Sequence, residues 1–480
     1  MTQFVEHQLL KKDTIESRLY QEVLAARVIE QGNSLIVAPT ALGKTVIAAL
    51  VAAHRLAKKT GEKILILAPT KPLAAQHEKS MKKFFAIDEE KISLLTGSTG
   101  PEEREKIFNN STIICATPQT IENDVITGRI NLANVCLAVF DEAHKGVKEY
   151  SYVFIAQKYM AQAKDPLILA LTASPSSEEE KIQDLCRNLF IKNIEIRTDK
   201  DPDVLPFTNE IEIEWNRVDL PSEFMDIKRH LEIFMKEQLL FLKRLGYAKS
   251  ISSAYYGKKQ LLELQQQIRR DVATKAKERP SVFAAASKLA CLLKISHAHT
   301  LLETQGTKSL NTYMEALREQ ELTRPSKAIK FIFNDDGILA AERTGKLLAE
   351  KGINHPKVPR LKEILSKNFA EKPESRVLVF NHYRASISSL EKELSDTPSV
   401  RAKKFIGQAT KGKDKGLTQK EQAELIKEFK AGKHNVLVCT AVAEEGIDIP
   451  QVDLVIFYEP VPSEIRLIQR RGRTGRLTEG

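Results

Sequence analysis

A chain of 480 residues has the length for two or three domains, and its 42% hydrophobic and 28% charged residues are those of an ordinary globular protein, which excludes fibrous and disordered classes. Lys and Arg number 73 against 63 Asp and Glu, a formal +10 that favours a polyanionic partner. The five cysteines, at 115, 136, 186, 291 and 439, form no CxxC pair and no His/Cys ligand spacing, so reduced thiols and no zinc are expected. The start "MTQFVEHQLLKKD" has no apolar signal core, and Pro39 and Lys44 interrupt the most apolar stretch; a cytoplasmic or nucleoid-associated location without a membrane segment is expected.

From about Asn33 to Ile196, short β-rich runs alternate with helical patterns: "SLIVAP", "KILILAP", "STIICATP", "CLAVFDEA" and "LILALTAS". These runs are apolar throughout, as strands of a parallel sheet covered on both faces must be. Each ends in a polar or Pro-bearing turn, and ligands of open α/β sheets bind at the carboxyl ends of the strands. After "DPDVLPF" the period becomes helical: Phe224, Ile227, Leu231 and Phe234 recur at three- and four-residue steps, and so do Leu261, Leu264, Ile268 and Val272. Gly246, Pro280 and Gly306 punctuate this block into separate helices. Between Pro221 and Pro325 there are 18 Lys or Arg against 11 Asp or Glu, so much of the excess positive charge sits here. A solvated helix surface would explain such a run as well as a polyanion site does. The βα rhythm resumes with "RVLVFNHY", "HNVLVCTA" and "VDLVIFYEP", with "QATKGKDKGLTQ" reading as a loop. The expected fold class is α/β, two parallel-sheet lobes with an all-helical insertion, divided at 1–205, 206–350 and 351–480.

"APTALGKT", Ala38–Thr45, lies between a strand run and a helical run, the placement a P-loop requires. Ala38, Pro39, Thr40, Ala41, Leu42 and Gly43 form the loop whose amides, with the helix N-terminus, cradle phosphates. Lys44 reaches the β/γ oxygens, and Thr45 ligates Mg²⁺. Ala38 stands where the first P-loop glycine usually is, and Ala41 where a second is common, so the loop must accommodate two methyl groups. In "VFDEAHK", Asp141 is placed to hold Mg²⁺ through water and Glu142 to orient the water attacking the γ-phosphate, although a DE pair at a strand end also serves as a helix cap. At the far end, "QRRGRTGR" sets Arg470, Arg471, Arg473 and Arg476 around two glycines, a pattern that bends tightly about an anion while guanidinium forks grip it.

"DEAH" at 141–144, "LTAS" at 171–174, "APTKPL" at 68–73 and "ATPQT" at 116–120, followed by "TAVAEEGIDIP" and "QRRGRTGR", resemble the ordered motifs of superfamily 2 helicases from Gln21 to Arg476. The resemblance implies two RecA-like lobes with ATP and Mg²⁺ between them. In it Arg473 and Arg476 act as arginine fingers on the γ-phosphate, Gln469 helps position the attacking water, and Asp448 approaches the ribose. "SRLYQ" resembles the adenine-reading motif, with Gln21 on the base edge and Tyr20 packing nearby. Thr172 and Ser174 resemble the residues that couple hydrolysis to nucleic-acid grip; capping of the next turn is the other reading. Thr70, Lys71, Thr117 and Thr440 match positions that touch the sugar-phosphate backbone, giving grip without sequence choice.

A basic helical insertion, "GQATKGKDKGLTQKEQ" ahead of the fifth motif and "FYEPVPSEIRLIQRRGRTGR" resemble the Hef and Fanconi anaemia M type in particular. That type implies an ATP-dependent helicase or branch-migrating translocase on forked and branched DNA, of 3′-to-5′ polarity, with repair or replication proteins as partners. No nuclease activity is expected of these 480 residues, since the XPF-like nuclease that Hef carries has no counterpart here. Dicer and the RIG-I-like sensors carry a related insertion, so a double-stranded-RNA-stimulated ATPase is an alternative, as is an ATP-gated platform that clamps junctions without unwinding. Lys258, Lys259, Arg269 and Arg270 are the insertion residues expected to contact a duplex arm.

Overall fold

Seven short strands form one parallel sheet: β1 Ser34–Val37, β2 Lys63–Leu67, β3 Ile92–Leu95, β4 Ile113–Ala116, β5 Val135–Phe140, β6 Ile168–Thr172 and β7 Asn193–Ile196, in the order β3-β4-β2-β5-β6-β1-β7. The computed structural model describes residues 3–39, 42–173, 179–198, 200–207, 212–275, 280–408, 416–440 and 452–459, the side chains of Lys258, Lys275 and Ala385 excepted. Alternate residues of each inner strand feed two separate cores. Ile36, Ile64, Ile66, Ile113, Cys115, Val139 and Leu169 pack on one face. Leu35, Leu65, Leu67, Ile114, Ala138, Phe140 and Ala170 pack on the other. Burial on both faces is the reason these runs are apolar at every position rather than at every second one.

The sequence pattern left out β3 and β7, and both are edge strands. A strand paired on one side only is less enclosed, and "ISLL" and "NIEI" carry the polar and half-exposed positions that an edge permits. The same holds in the second sheet, where β8 Val377–Phe380, β9 Ala402–Phe405, β10 Val436–Cys439 and β11 Leu454–Phe457 run parallel in the order β11-β8-β10-β9. There "AKKF" of β9 is the edge strand that the alternation did not reveal. Leu378, Phe380, Leu437 and Cys439 meet Leu425, Ile426 and Phe429 of the helix Gln419–Lys430 on one face of this sheet. That helix opens with a capping box, Thr418 and Glu421 each satisfying the other's amide. Of the loop expected at 408–419, residues 409–415 lie outside the described ones.

A second compact unit, Glu214–Pro373 with Tyr383–Val400, is helical. The helices Ser222–Arg244, Lys258–Lys275, Ser281–Gln305 and Asp336–Glu350 share one core, in which Phe224, Ile227, Leu231 and Phe234 are at most 1% exposed. Leu261, Leu264 and Ile268 are buried in it as their spacing predicts, with Val272 partly covered. Gly246 and Gly306 follow helix ends with φ of +83° and +90°, which L side chains rarely adopt, so glycine at these positions stops the helices cleanly. The Glu342 carboxylate is held below the usual range by Arg318, whose guanidinium donates to both its oxygens at 3.0 and 2.5 Å while lying 4.0 Å from the Phe333 ring. Burial pushes His355 down to about 4, so its ring stays neutral, bonding the Glu303 carbonyl at 2.9 Å. The helix Arg384–Ser395 joins this unit through Glu393, which accepts from Lys308 at 2.9 Å and from Asn354 at 3.1 Å. Among the described residues, no helix is long and apolar enough to cross a membrane.

Candidate nucleotide site

The loop after β1 turns into the helix Lys44–Lys58 at Gly43, whose φ of +67° is left-handed. The backbone conformation requires glycine here, and a Cβ at Gly43 would also sit 2.6 Å from Gln21 Nε2 and push that side chain aside. Lys44 is buried, and its ammonium donates to the Ala38 carbonyl at 2.8 Å, curling back over the loop that it closes. Thr45 stands beside it, in the first turn of the same helix. Gln21 donates to the Leu42 carbonyl at 3.1 Å, and the Tyr20 hydroxyl donates to the same oxygen at 3.1 Å. The "SRLYQ" residues are therefore bonded to the phosphate-loop backbone itself. Ala38, Pro39, Leu42 and Gly43 are described; Thr40 and Ala41 lie outside the described residues.

Motif "DEAH" follows β5, two strands from β1 in the sheet order. Burial raises the Asp141 carboxyl, but His77, the Lys44 charge and the Glu142 amide together outweigh it and hold the group below the usual range. Asp141 is thus an anion in a buried setting, facing a cation from the P-loop. Glu142 adopts a left-handed backbone, φ 50° and ψ 49°, uncommon for a residue with a side chain. The helix-cap reading of this pair is not what its side chains do: Asp141 Oδ1 accepts the Glu142 amide at 3.0 Å, and Glu142 makes no side-chain cap of the following turn. His144 Nδ1 lies 3.2 Å from the Thr172 hydroxyl and 3.3 Å from Glu142 Oε2. That ring joins "DEAH" to "LTAS" across neighbouring strands. Ser174 lies outside the described residues.

Two residues that sequence reasoning missed complete the site. His77 Nε2 is 2.8 Å from Asp141 Oδ2, and the Tyr152 hydroxyl lies 2.6 Å from the Asp141 carbonyl and 3.1 Å from the Leu67 carbonyl. The available signal was periodicity: Ala74, His77 and Met81 make the buried stripe of the helix Lys71–Phe84, and a histidine in such a stripe needs a polar partner.

Thr70, Thr117 and Thr440 all follow carboxyl ends of strands, after β2, β4 and β10. Thr70 caps its helix by accepting the Leu73 amide, Lys71 Nζ meets Ser98 Oγ at 3.2 Å, and the Thr117 hydroxyl meets that of Thr120 at 2.8 Å. The helix behind Thr117 is pinned by Arg104, whose Nε and Nη2 each donate to the Asp124 carboxylate at 2.6 Å with both side chains under 10% exposed. Breaking so enclosed a pair costs on the order of 3–5 kcal/mol, against about 1 kcal/mol or less for an exposed one, so this pair and not the surface ion pairs holds the Thr117 turn.

In the helical unit, Lys258, Lys259, Arg269 and Arg270 fall on the single helix Lys258–Lys275, and Lys259, Arg269 and Arg270 are exposed. Eleven residues span about 1100°, three turns and roughly 20°, so 258 aligns with 269 and 259 with 270 in two parallel stripes. Asp448, Gln469, Arg473 and Arg476 lie outside the described residues.

Comparison with known proteins gives a consistent result. The DEAD/DEAH box helicase profile matches residues 18–182, the helicase conserved C-terminal domain matches 356–478, and a profile described as the helical bundle of a putative ATP-dependent RNA helicase matches 223–343. A putative ATP-dependent RNA helicase of Methanocaldococcus jannaschii is 40% identical over 98% of the chain and 58% of its own length. The ATP-dependent DNA helicase mph1 of Neurospora crassa is 33% identical over 93% of the chain and 39% of its own length. The chain therefore spans little more than half of the first relative and less of the second. The crystal structure of the Pyrococcus furiosus Hef helicase domain is 45% identical, with a TM-score of 0.75, over 98% of this chain and 96% of that one. Two parallel sheets, a helical bundle and a P-loop facing "DEAH" in one ordered series place the chain in the superfamily 2 DEAD/DEAH-box helicases, of the Hef and Fanconi anaemia M type.

Proposed function

We propose that the chain is an ATP-dependent DNA helicase or translocase that acts on forked and branched DNA with 3′-to-5′ polarity, serving fork and junction processing in repair. The observation that carries the ATPase part of this reading is the placement of two buried charged side chains at strand ends of the seven-stranded sheet: the Lys44 ammonium, held over its own loop at the Ala38 carbonyl after β1, and the Asp141 carboxylate after β5. Such a pairing suits a nucleotide phosphate together with its cation. Mg²⁺ fits the residues present. Thr45 and Asp141 supply hard oxygen donors. An ion held by one or two protein oxygens, phosphates and water is the usual Mg²⁺ arrangement. When bound, it would neutralise phosphate charge. Lys44 then grips the β/γ oxygens, Glu142 orients the attacking water, and Gln21 reads the base edge. Arg473, Arg476 and Gln469 complete the set on the second lobe, with Asp448 at the ribose. Thr172 passes the nucleotide state through His144, and Thr70, Lys71, Thr117 and Thr440 hold the sugar-phosphate backbone. The lobes span 1–205 and 351–480, and the insertion 206–350.

DNA as substrate is supported by the name of the Neurospora relative. The printed name of the Methanocaldococcus relative favours RNA as the second reading. ATP hydrolysis stimulated by single-stranded, duplex, forked and four-way DNA, and by duplex RNA, separates the two. Forks and junctions are expected to stimulate most; a preference for duplex RNA would establish the second reading. Charge reversal at Lys258, Lys259, Arg269 and Arg270 together is expected to weaken fork and junction binding far more than single-strand binding. Hydrolysis at saturating single-stranded DNA is expected to survive, because the helix Lys258–Lys275 carries none of the ATPase motifs. Equal loss on every substrate would mean a nonspecific basic surface, and no loss on any would mean a solvated one.

A further inference from the structure

We propose that His77 is a positioning residue: it fixes the Asp141 carboxylate in the orientation that receives Mg²⁺, while Tyr152 fixes the backbone beneath it. This rests on the ATPase reading above. A carboxylate only accepts, so His77 Nε2 carries the proton that it gives to Asp141 Oδ2 across 2.8 Å. Oδ1 accepts the Glu142 amide at 3.0 Å, so both oxygens are tied and the carboxylate plane cannot rotate, while each keeps a lone pair for a metal-bound water or the ion. The Tyr152 hydroxyl bridges the Asp141 and Leu67 carbonyls and so locks the ends of β5 and β2 together.

Two features set this contact apart from ordinary core packing. His77 is 4% exposed, and among the described residues its buried Nδ1 has no hydrogen-bond partner, so there the ring's polar engagement is with Asp141. It also comes from a different element, the helix after β2, and so ties the metal-facing carboxylate to the helix that begins at Thr70 and Lys71. Outer partners of metal-binding groups change metal affinity about 10- to 100-fold when removed, because the ligand must then be ordered at the moment of binding.

Binding of a fluorescent ATP analogue, with Mg²⁺ titrated and with EDTA, tests the assignment in wild type, His77→Ala and His77→Gln, alongside melting temperatures. His77→Ala is expected to raise the Mg²⁺ midpoint about 10- to 100-fold while Mg²⁺-free nucleotide affinity stays within about twofold. His77→Gln, whose side-chain amide can donate to the same oxygen, is expected to recover most of the loss. An unchanged midpoint in His77→Ala overturns the proposal. So does equal loss with and without Mg²⁺ accompanied by a lower melting temperature, or a glutamine variant no better than alanine. If wild type itself shows no Mg²⁺-dependent nucleotide binding, it is the ATPase reading that fails, and the proposal falls with it.

Discussion

Lys44→Ala is expected to abolish ATP hydrolysis. Between Ala38 and Thr45 no other side chain carries a positive charge, so nothing in the loop replaces the ammonium at the β/γ oxygens. The wild-type lysine is buried and already curled over its own loop at the Ala38 carbonyl, so it reaches phosphate at little cost in ordering. Glu142→Gln is expected to behave differently. The amide matches the carboxylate in shape and leaves the nucleotide's binding groups intact, but it no longer draws a proton from the attacking water. That variant should bind ATP, fail to turn over and remain locked on DNA. Fluorescent-nucleotide binding measured beside steady-state turnover distinguishes the two losses. Turnover near wild type in either variant would contradict these roles.

The second large effect concerns the arginines of "QRRGRTGR". If Arg473 and Arg476 are fingers, alanine at either one costs on the order of a thousandfold in turnover at saturating DNA, with little loss of DNA affinity. An arginine that merely contacts backbone phosphate behaves in the opposite way. Its loss weakens DNA binding and flattens the salt dependence by about one ion per contact, leaving turnover at saturation near wild type. Turnover at saturating DNA decides between them, because saturation removes the binding contribution from the comparison.

Much of the architecture was legible because its central strands have no solvent face. β1, β2, β4, β5, β6, β8 and β10 stand out as apolar runs, and β11 does so although it is an edge strand and only half-buried, whereas the edge strands β3, β7 and β9 mix polar residues and carry no alternation strong enough to read. The helical unit was legible from its three- and four-residue steps, since Phe224, Ile227, Leu231 and Phe234 face its core. In the nucleotide site, residues that act through local chain geometry were readable: a strand, a loop and GKT are contiguous. His77 and Tyr152 were not. Each reaches Asp141 from a separate element, 64 residues before it in one case and 11 after it in the other, and no spacing rule links such positions. The left-handed Glu142 was equally hidden, because a strained backbone leaves no mark on a sequence that lacks glycine at that point.

Strand displacement on a labelled DNA fork bears most directly on the claim that this chain converts ATP hydrolysis into movement on branched DNA. Wild-type protein with ATP and Mg²⁺ should release the labelled strand, and release should vanish with a nonhydrolysable analogue, with EDTA and in Lys44→Ala. Tight fork binding with brisk hydrolysis but no strand release or branch movement under any condition would contradict the account and leave a nucleotide-gated clamp.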